Sequence, residues 1–63
     1  MGYRIKDLRQ QQGLSQETLA QKSGVSRVTI SKLETKQDAI ANIDTLRKIA
    51  NALQVGIGDI FLP

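Results

Sequence analysis

The chain contains no cysteine, no histidine and no tryptophan, and only one phenylalanine, one tyrosine and one proline. Without cysteine or histidine, disulfide stapling and the usual thiolate or imidazole zinc sites are excluded, and a reducing intracellular setting is favoured. With so few aromatic side chains, the interior of a 63-residue chain must be assembled from Leu, Ile, Val and Ala. That composition suits short packed helices with short connections. No apolar run approaches the roughly 20 residues of a membrane-spanning helix, and no charged-then-apolar leader precedes a cleavage-like site. A soluble, cytoplasmic protein without a membrane partner is expected. Catalysis also lacks its common instruments. The six carboxylates fall mostly on positions explained by helix capping or solvation, and no Ser or Thr hydroxyl has an evident base to activate it. The expectation is a non-enzyme with no metal and no cofactor.

What the chain does carry is an uneven distribution of charge. The formal net charge is +3. Up to Lys36, Arg4, Lys6, Arg9, Lys22, Arg27, Lys32 and Lys36 stand against Asp7, Glu17 and Glu34, a local excess of +4. From Gln37 onward two bases face three acids. An ordinary solvated surface would account for this, and so would a first half that faces a polyanion; charge alone does not separate them.

Apolar spacing and capping residues divide the chain into helices. Ile5 and Leu8 give a narrow buried stripe from Tyr3 to Gln12, with Gly13 as the left-handed stop and Leu14 as the return contact. Ser15 caps a second helix that turns Leu19 and Ala20 inward and halts at Gly24, with Val25 packing under the turn. Ser26 caps a third, from about Arg27 to about Thr35. Asn42 caps a fourth in which Ile43, Leu46, Ile49, Ala50 and Leu53 recur at helical spacing. Val55, Ile57, Ile60 and Phe61 predict a last short helical turn that closes the core. The glycines of "GIGDIF" lack a third glycine and a preceding strand, so they read as a turn and not as a nucleotide-binding loop. No segment shows the two-residue alternation of a half-buried strand, which makes the fold all-α with five short helices.

The third helix is the unusual one. Val28, Thr29 and Ile30 are consecutive β-branched residues, which helix propensity alone would not select. At about 100° per residue, Ile30, Leu33 and Glu34 share one side, and Val28, Ser31, Lys32 and Thr35 the other. Glu34 thus points inward, where an unpaired carboxylate would be costly, and it requires a partner. With the preceding helix and its glycine turn, residues 16–35 have the spacing of a helix-turn-helix.

The run "LRQQQGLSQETLAQKSGVSRVTISKLE", with "IDTLRKIANALQV" behind it, resembles the DNA-binding domain of the lambdoid phage repressor and Cro family, also called the xenobiotic-response-element-like regulators. The likeness covers nearly the whole chain. It implies a compact, five-helix, lambda-repressor-like domain over residues 1–63, acting as a prokaryotic or phage transcriptional regulator, in the main reading a repressor, on a double-stranded DNA operator. The second helix of the pair enters the major groove in this family, so the resemblance assigns base contacts to Arg27, Val28 and Lys32. Their chemistry is suited to it: Arg bidentate to guanine O6 and N7, Lys to the same acceptors singly, Val against the thymine methyl. Gln16 is implied to bond a phosphate while steadying the recognition helix. Ser26, Thr29 and Ser31 flank that face, touching phosphate or water, and Lys36 is a candidate phosphate contact, with Arg4 a further one. Arg9 is implied to pair with Glu34, locking the first helix to the third. That gives both a structural role, and Glu34→Ala is expected to lower the thermal midpoint by several degrees without changing base preference.

Two departures from the family pattern stand out. Thr35-Lys36-Gln37 replaces the usual glycine after the recognition helix, and Ala41 replaces the usual proline before the fourth, so the 35–41 loop is expected to follow its own path. Ile40 within it is either a core plug or an exposed contact. The family binds near-palindromic sites as two-fold dimers, which points to a homodimer at least on DNA, its contacts toward Ile57, Phe61 and Leu62 unless the core takes them. The competing reading is a protein-interaction role, such as the antitoxin of a toxin-antitoxin pair, with or without operator binding.

Overall fold

Three of the helices begin where a short polar side chain takes up a backbone N–H that has no partner within the helix. The computed structural model describes residues 2–36 and 39–61. In it Ser15 Oγ accepts from the Thr18 N–H at 3.0 Å, Ser26 Oγ from Thr29 at 3.2 Å, and Asn42 Oδ1 from Thr45 at 2.8 Å. Each capping residue lies in extended backbone and the next begins the helix. The helices are α1 (Ile5–Gln11), α2 (Gln16–Ser23), α3 (Arg27–Thr35) and α4 (Ile43–Ala52), followed by a 3₁₀ turn, Ile57–Ile60.

Helix ends are as well defined as the starts. Gly13, at φ +71°, ends α1 with its N–H on the Gln10 carbonyl and that of Leu14 on the Arg9 carbonyl. The same pair of bonds ends α4, from Gln54 to Asn51 and from Val55 to Ala50. There the left-handed position is held by Gln54, at φ 59°, a conformation that disfavours any residue with a Cβ.

The apolar faces meet in one core. Ile5 and Leu8 of α1, Leu19 of α2, Ile30 and Leu33 of α3, and Leu46, Ile49 and Ala50 of α4 are buried together with Val25, Leu53 and Ile60. Helix α2 packs on α3 and α4, α1 on α3, and the 3₁₀ turn on α4. Among the described residues there is no sheet, only an isolated antiparallel bridge between Tyr3 and Phe61.

That bridge corrects the expected start of the first helix. Tyr3 pairs with Phe61, ring centroids 5.8 Å apart, and the Arg4 N–H donates to the Ile60 carbonyl at 2.7 Å. The backbone thereby enters a long-range pairing, and helix begins two residues later than expected. The expected fifth helix is a single 3₁₀ turn, so the described residues hold four α-helices. Ile43 is a second correction: it shares the phase of Leu46 and Ala50, but at the first position of α4 it is 53% exposed. Ile40 is 93% exposed, an exposed side chain and not a core plug. Tyr3 Oη donates to the Ala39 carbonyl within that loop; the expectation that the 35–41 loop follows its own path falls partly on Gln37 and Asp38, which lie outside the described residues.

Candidate nucleic-acid interface

The packing that buries α3 also decides what it presents. Ile30 and Leu33 enter the core, leaving Arg27, Val28, Lys32, Thr35 and Lys36 exposed and Thr29 and Ser31 half-buried. Arg27, Val28, Ser31 and Lys32 together line a shallow depression of about 220 Å³. Val28 is 64% exposed, an apolar side chain between two cations. Among the described residues, neither Arg27 nor Lys32 has a carboxylate within ion-pairing distance.

The flanking residues are partly committed. Ser26 and Thr29 hydroxyls bond each other at 2.9 Å, in addition to the backbone cap. Thr35 Oγ1 donates to the Ser31 carbonyl, while Lys36 follows the helix as an exposed cation. Arg4 precedes α1, and its guanidinium reaches the Asp59 carbonyl at 3.5 Å. Gln16 is the first residue of α2, next to first-turn N–H groups that helix geometry leaves without intrahelical partners.

Behind the exposed face lies a charged network that holds three helices in register. Arg9 Nε donates to Glu34 Oε2 at 2.8 Å and Arg9 Nη2 to Glu34 Oε1 at 3.0 Å, a two-point contact. Arg9 Nη1 donates to the Leu14 carbonyl at 2.8 Å, and Gln16 Nε2 donates to Glu34 Oε1 at 3.0 Å. The two ionic side chains are 11% and 1% exposed. Burial works against the Glu34 charge, but hydrogen bonds from Arg9 and Gln16 and the charges of Arg9 and Lys6 outweigh it, holding the carboxyl below its ordinary pKa. The hydrogen bond to Glu34 raises the Arg9 pKa above its ordinary value, against burial and with the attraction of the same carboxylate.

The partners of two glutamines carry no signal in the sequence, although the resemblance implies that Gln16 steadies the recognition helix. The Gln16 to Glu34 bond spans 18 positions, and Gln12 Nε2 donates to the Leu53 carbonyl at 2.7 Å across 41. A glutamine carries no local signal for such a partner. Of the residues expected at a dimer contact, Ile57 and Phe61 are half-buried, and Leu62 lies outside the described residues.

Comparison with known proteins agrees with this arrangement. A helix-turn-helix family profile matches residues 5–60. The chain is similar to the HTH-type transcriptional regulator PuuR of Escherichia coli (strain K12), at 38% identity over 61 residues, covering 95% of this chain and 32% of that protein. It is equally similar, over the same shares, to the PuuR of Shigella flexneri. The chain thus spans about a third of the length of the curated relatives it matches.

Proposed function

The chain belongs to the helix-turn-helix family, and from that premise we propose that residues 1–63 act as one DNA-binding unit of a cytoplasmic transcription regulator, with α3 laid in the major groove. The observation that carries this reading is the free face of α3: two cations, without carboxylate partners among the described residues, flank an exposed valine on a helix pinned from behind. Arg27 donates to guanine O6 and N7, Lys32 to a neighbouring acceptor, and Val28 covers a thymine methyl. Lys36, Gln16 and the Ser26, Thr29 and Ser31 hydroxyls hold flanking phosphates, which position the domain without reading sequence. The regulator acts by exclusion, as a repressor occupying its operator. Two copies on a two-fold site would place their α3 helices about one DNA turn, roughly 34–36 Å, apart.

The test is selection of bound duplexes from a random pool. A two-fold motif with a fixed half-site spacing is expected, and affinity that drops steeply with salt as phosphate counterions are released. No enriched motif at low salt would overturn the reading. A second reading, docking of a protein partner, draws on the exposed Ile40 and Ile43. Salt separates the two, because an apolar protein interface weakens little as ionic strength rises.

A further inference from the structure

The free chain gains nothing from Val28. It is 64% exposed while Ile30 and Leu33 fill the core, and a β-branched residue is a weak helix former. What the branch supplies is rigidity. Within a helix Val is held largely to one χ1 rotamer, so its two methyl groups stand at fixed places on α3. They form the apolar wall of the depression lined also by Arg27, Ser31 and Lys32. The other three side chains of that lining can donate hydrogen bonds, and a Val side chain neither donates nor accepts. It therefore cannot distinguish thymine O4 from cytosine N4. In the major groove it can register one feature of a pyrimidine, the apolar methyl group at C5.

We propose that the ligand of Val28 is the C5 methyl group itself, whichever pyrimidine carries it, so that DNA binding by α3 responds to cytosine C5 methylation. This rests on the DNA-binding reading above. Thymine and 5-methylcytosine present that methyl at the same place on the major-groove edge, and differ there in the exocyclic group that Val28 does not read. Among the described residues, Arg27 and Lys32 have no carboxylate within ion-pairing distance, so both are available to hold base edges close on either side and exclude water from the contact. An unmethylated cytosine leaves the apolar wall uncovered, and methylation covers it again. The mark carries no charge, so its effect is one of apolar burial, and one methyl group is worth about fourfold in affinity.

The experiment uses the full chain and a duplex taken from the random-pool selection, with affinity read by fluorescence anisotropy. On either strand, each thymine is replaced in turn by uracil and each cytosine by 5-methylcytosine. Both changes keep the base pair and its hydrogen-bonding groups and alter only the methyl. At one position per half-site, loss of a thymine methyl should weaken binding about fourfold, or gain of a cytosine methyl should tighten it about fourfold. Rebuilding that position with the other pyrimidine should give the same ratio between its methylated and unmethylated forms. The salt slope should not change, because a methyl group displaces no counterion. In Val28→Ala, which alters an exposed side chain and leaves the core intact, the ratio should fall below about 1.5-fold. A ratio that persists in Val28→Ala would overturn the proposal, since the methyl would then act through another residue or through the duplex. A thymine-over-uracil ratio without its cytosine counterpart would overturn it as well. A parent that binds DNA but shows no methyl effect at any position would overturn it and leave the DNA-binding reading standing. Failure of the parent to bind any duplex at low salt would overturn that reading itself.

Discussion

Replacing Glu34 by alanine removes the acceptor on which α1, α2 and α3 converge. The carboxylate receives hydrogen bonds at 2.8, 3.0 and 3.0 Å, and its side chain is 1% exposed. Deleting one partner of a buried ion pair costs about 3–5 kcal/mol, because the other charge is left without compensation. Arg9 keeps its bond to the Leu14 carbonyl and retains some access to water, which places the expected loss near the lower end, about 3 kcal/mol. A domain of this size has a total stability of roughly 3–9 kcal/mol, so the loss is a third of it or more. At about 4–8 °C per kcal/mol, the thermal midpoint should fall by roughly 12–24 °C, more than the several degrees expected from sequence. Far-UV circular dichroism on heating, at neutral pH, reads it directly. A fall of under about 4 °C would show that the network adds little to stability and refute the reasoning.

The same measurement across pH supplies a second arm with a defined sign. The Glu34 carboxyl is held below its ordinary pKa in the folded chain. Its contribution is therefore fully present above the unfolded value, about 4.3, and is lost as pH falls through the lower folded value. Parent and Glu34→Ala should differ most above about pH 5 and converge in stronger acid. A gap that stayed constant into strong acid would mean that the ionised carboxylate is not what stabilises the fold.

Other expectations concern separate parts of the molecule. Arg27→Ala or Lys32→Ala should relax base preference at one position per half-site, each by about 1–3 kcal/mol, with little change in thermal midpoint; a uniform loss across sequences would reassign that residue to phosphate. Gln54→Gly should raise stability by about 0.5–1 kcal/mol in a urea titration, because a left-handed position no longer bears a Cβ; a decrease would mean that the Gln54 side chain contributes more than its backbone strain costs. Ile43→Ser should change stability by less than about 0.5 kcal/mol, whereas Leu46→Ala, one turn deeper, should cost about 2–5 kcal/mol. Comparable losses at the two positions would contradict the exposed placement of Ile43.

Local rules reached far in this chain because its signals are local. Ser15, Ser26 and Asn42 cap helices through contacts three residues away, Gly13 and Gly24 hold left-handed turns, and the phase of Ile30 and Leu33 alone orients α3. The same phase placed Val28 and Lys32 on the outside, so the candidate reading face was legible before any tertiary contact was known. Composition and periodicity determined an all-helical class and an interior of aliphatic side chains. Tertiary structure alone decided where the chain's first residues go, since Tyr3 and Arg4 pair with Phe61 and Ile60 from the other end. It alone left Ile43 and Ile40 in the open, because periodicity states which side an apolar residue faces and not whether anything lies there. It alone brought Gln16 to Glu34. Hydrogen bonds between residues distant in sequence are set by how whole helices dock, and a glutamine reads the same in sequence whether its amide is free or held.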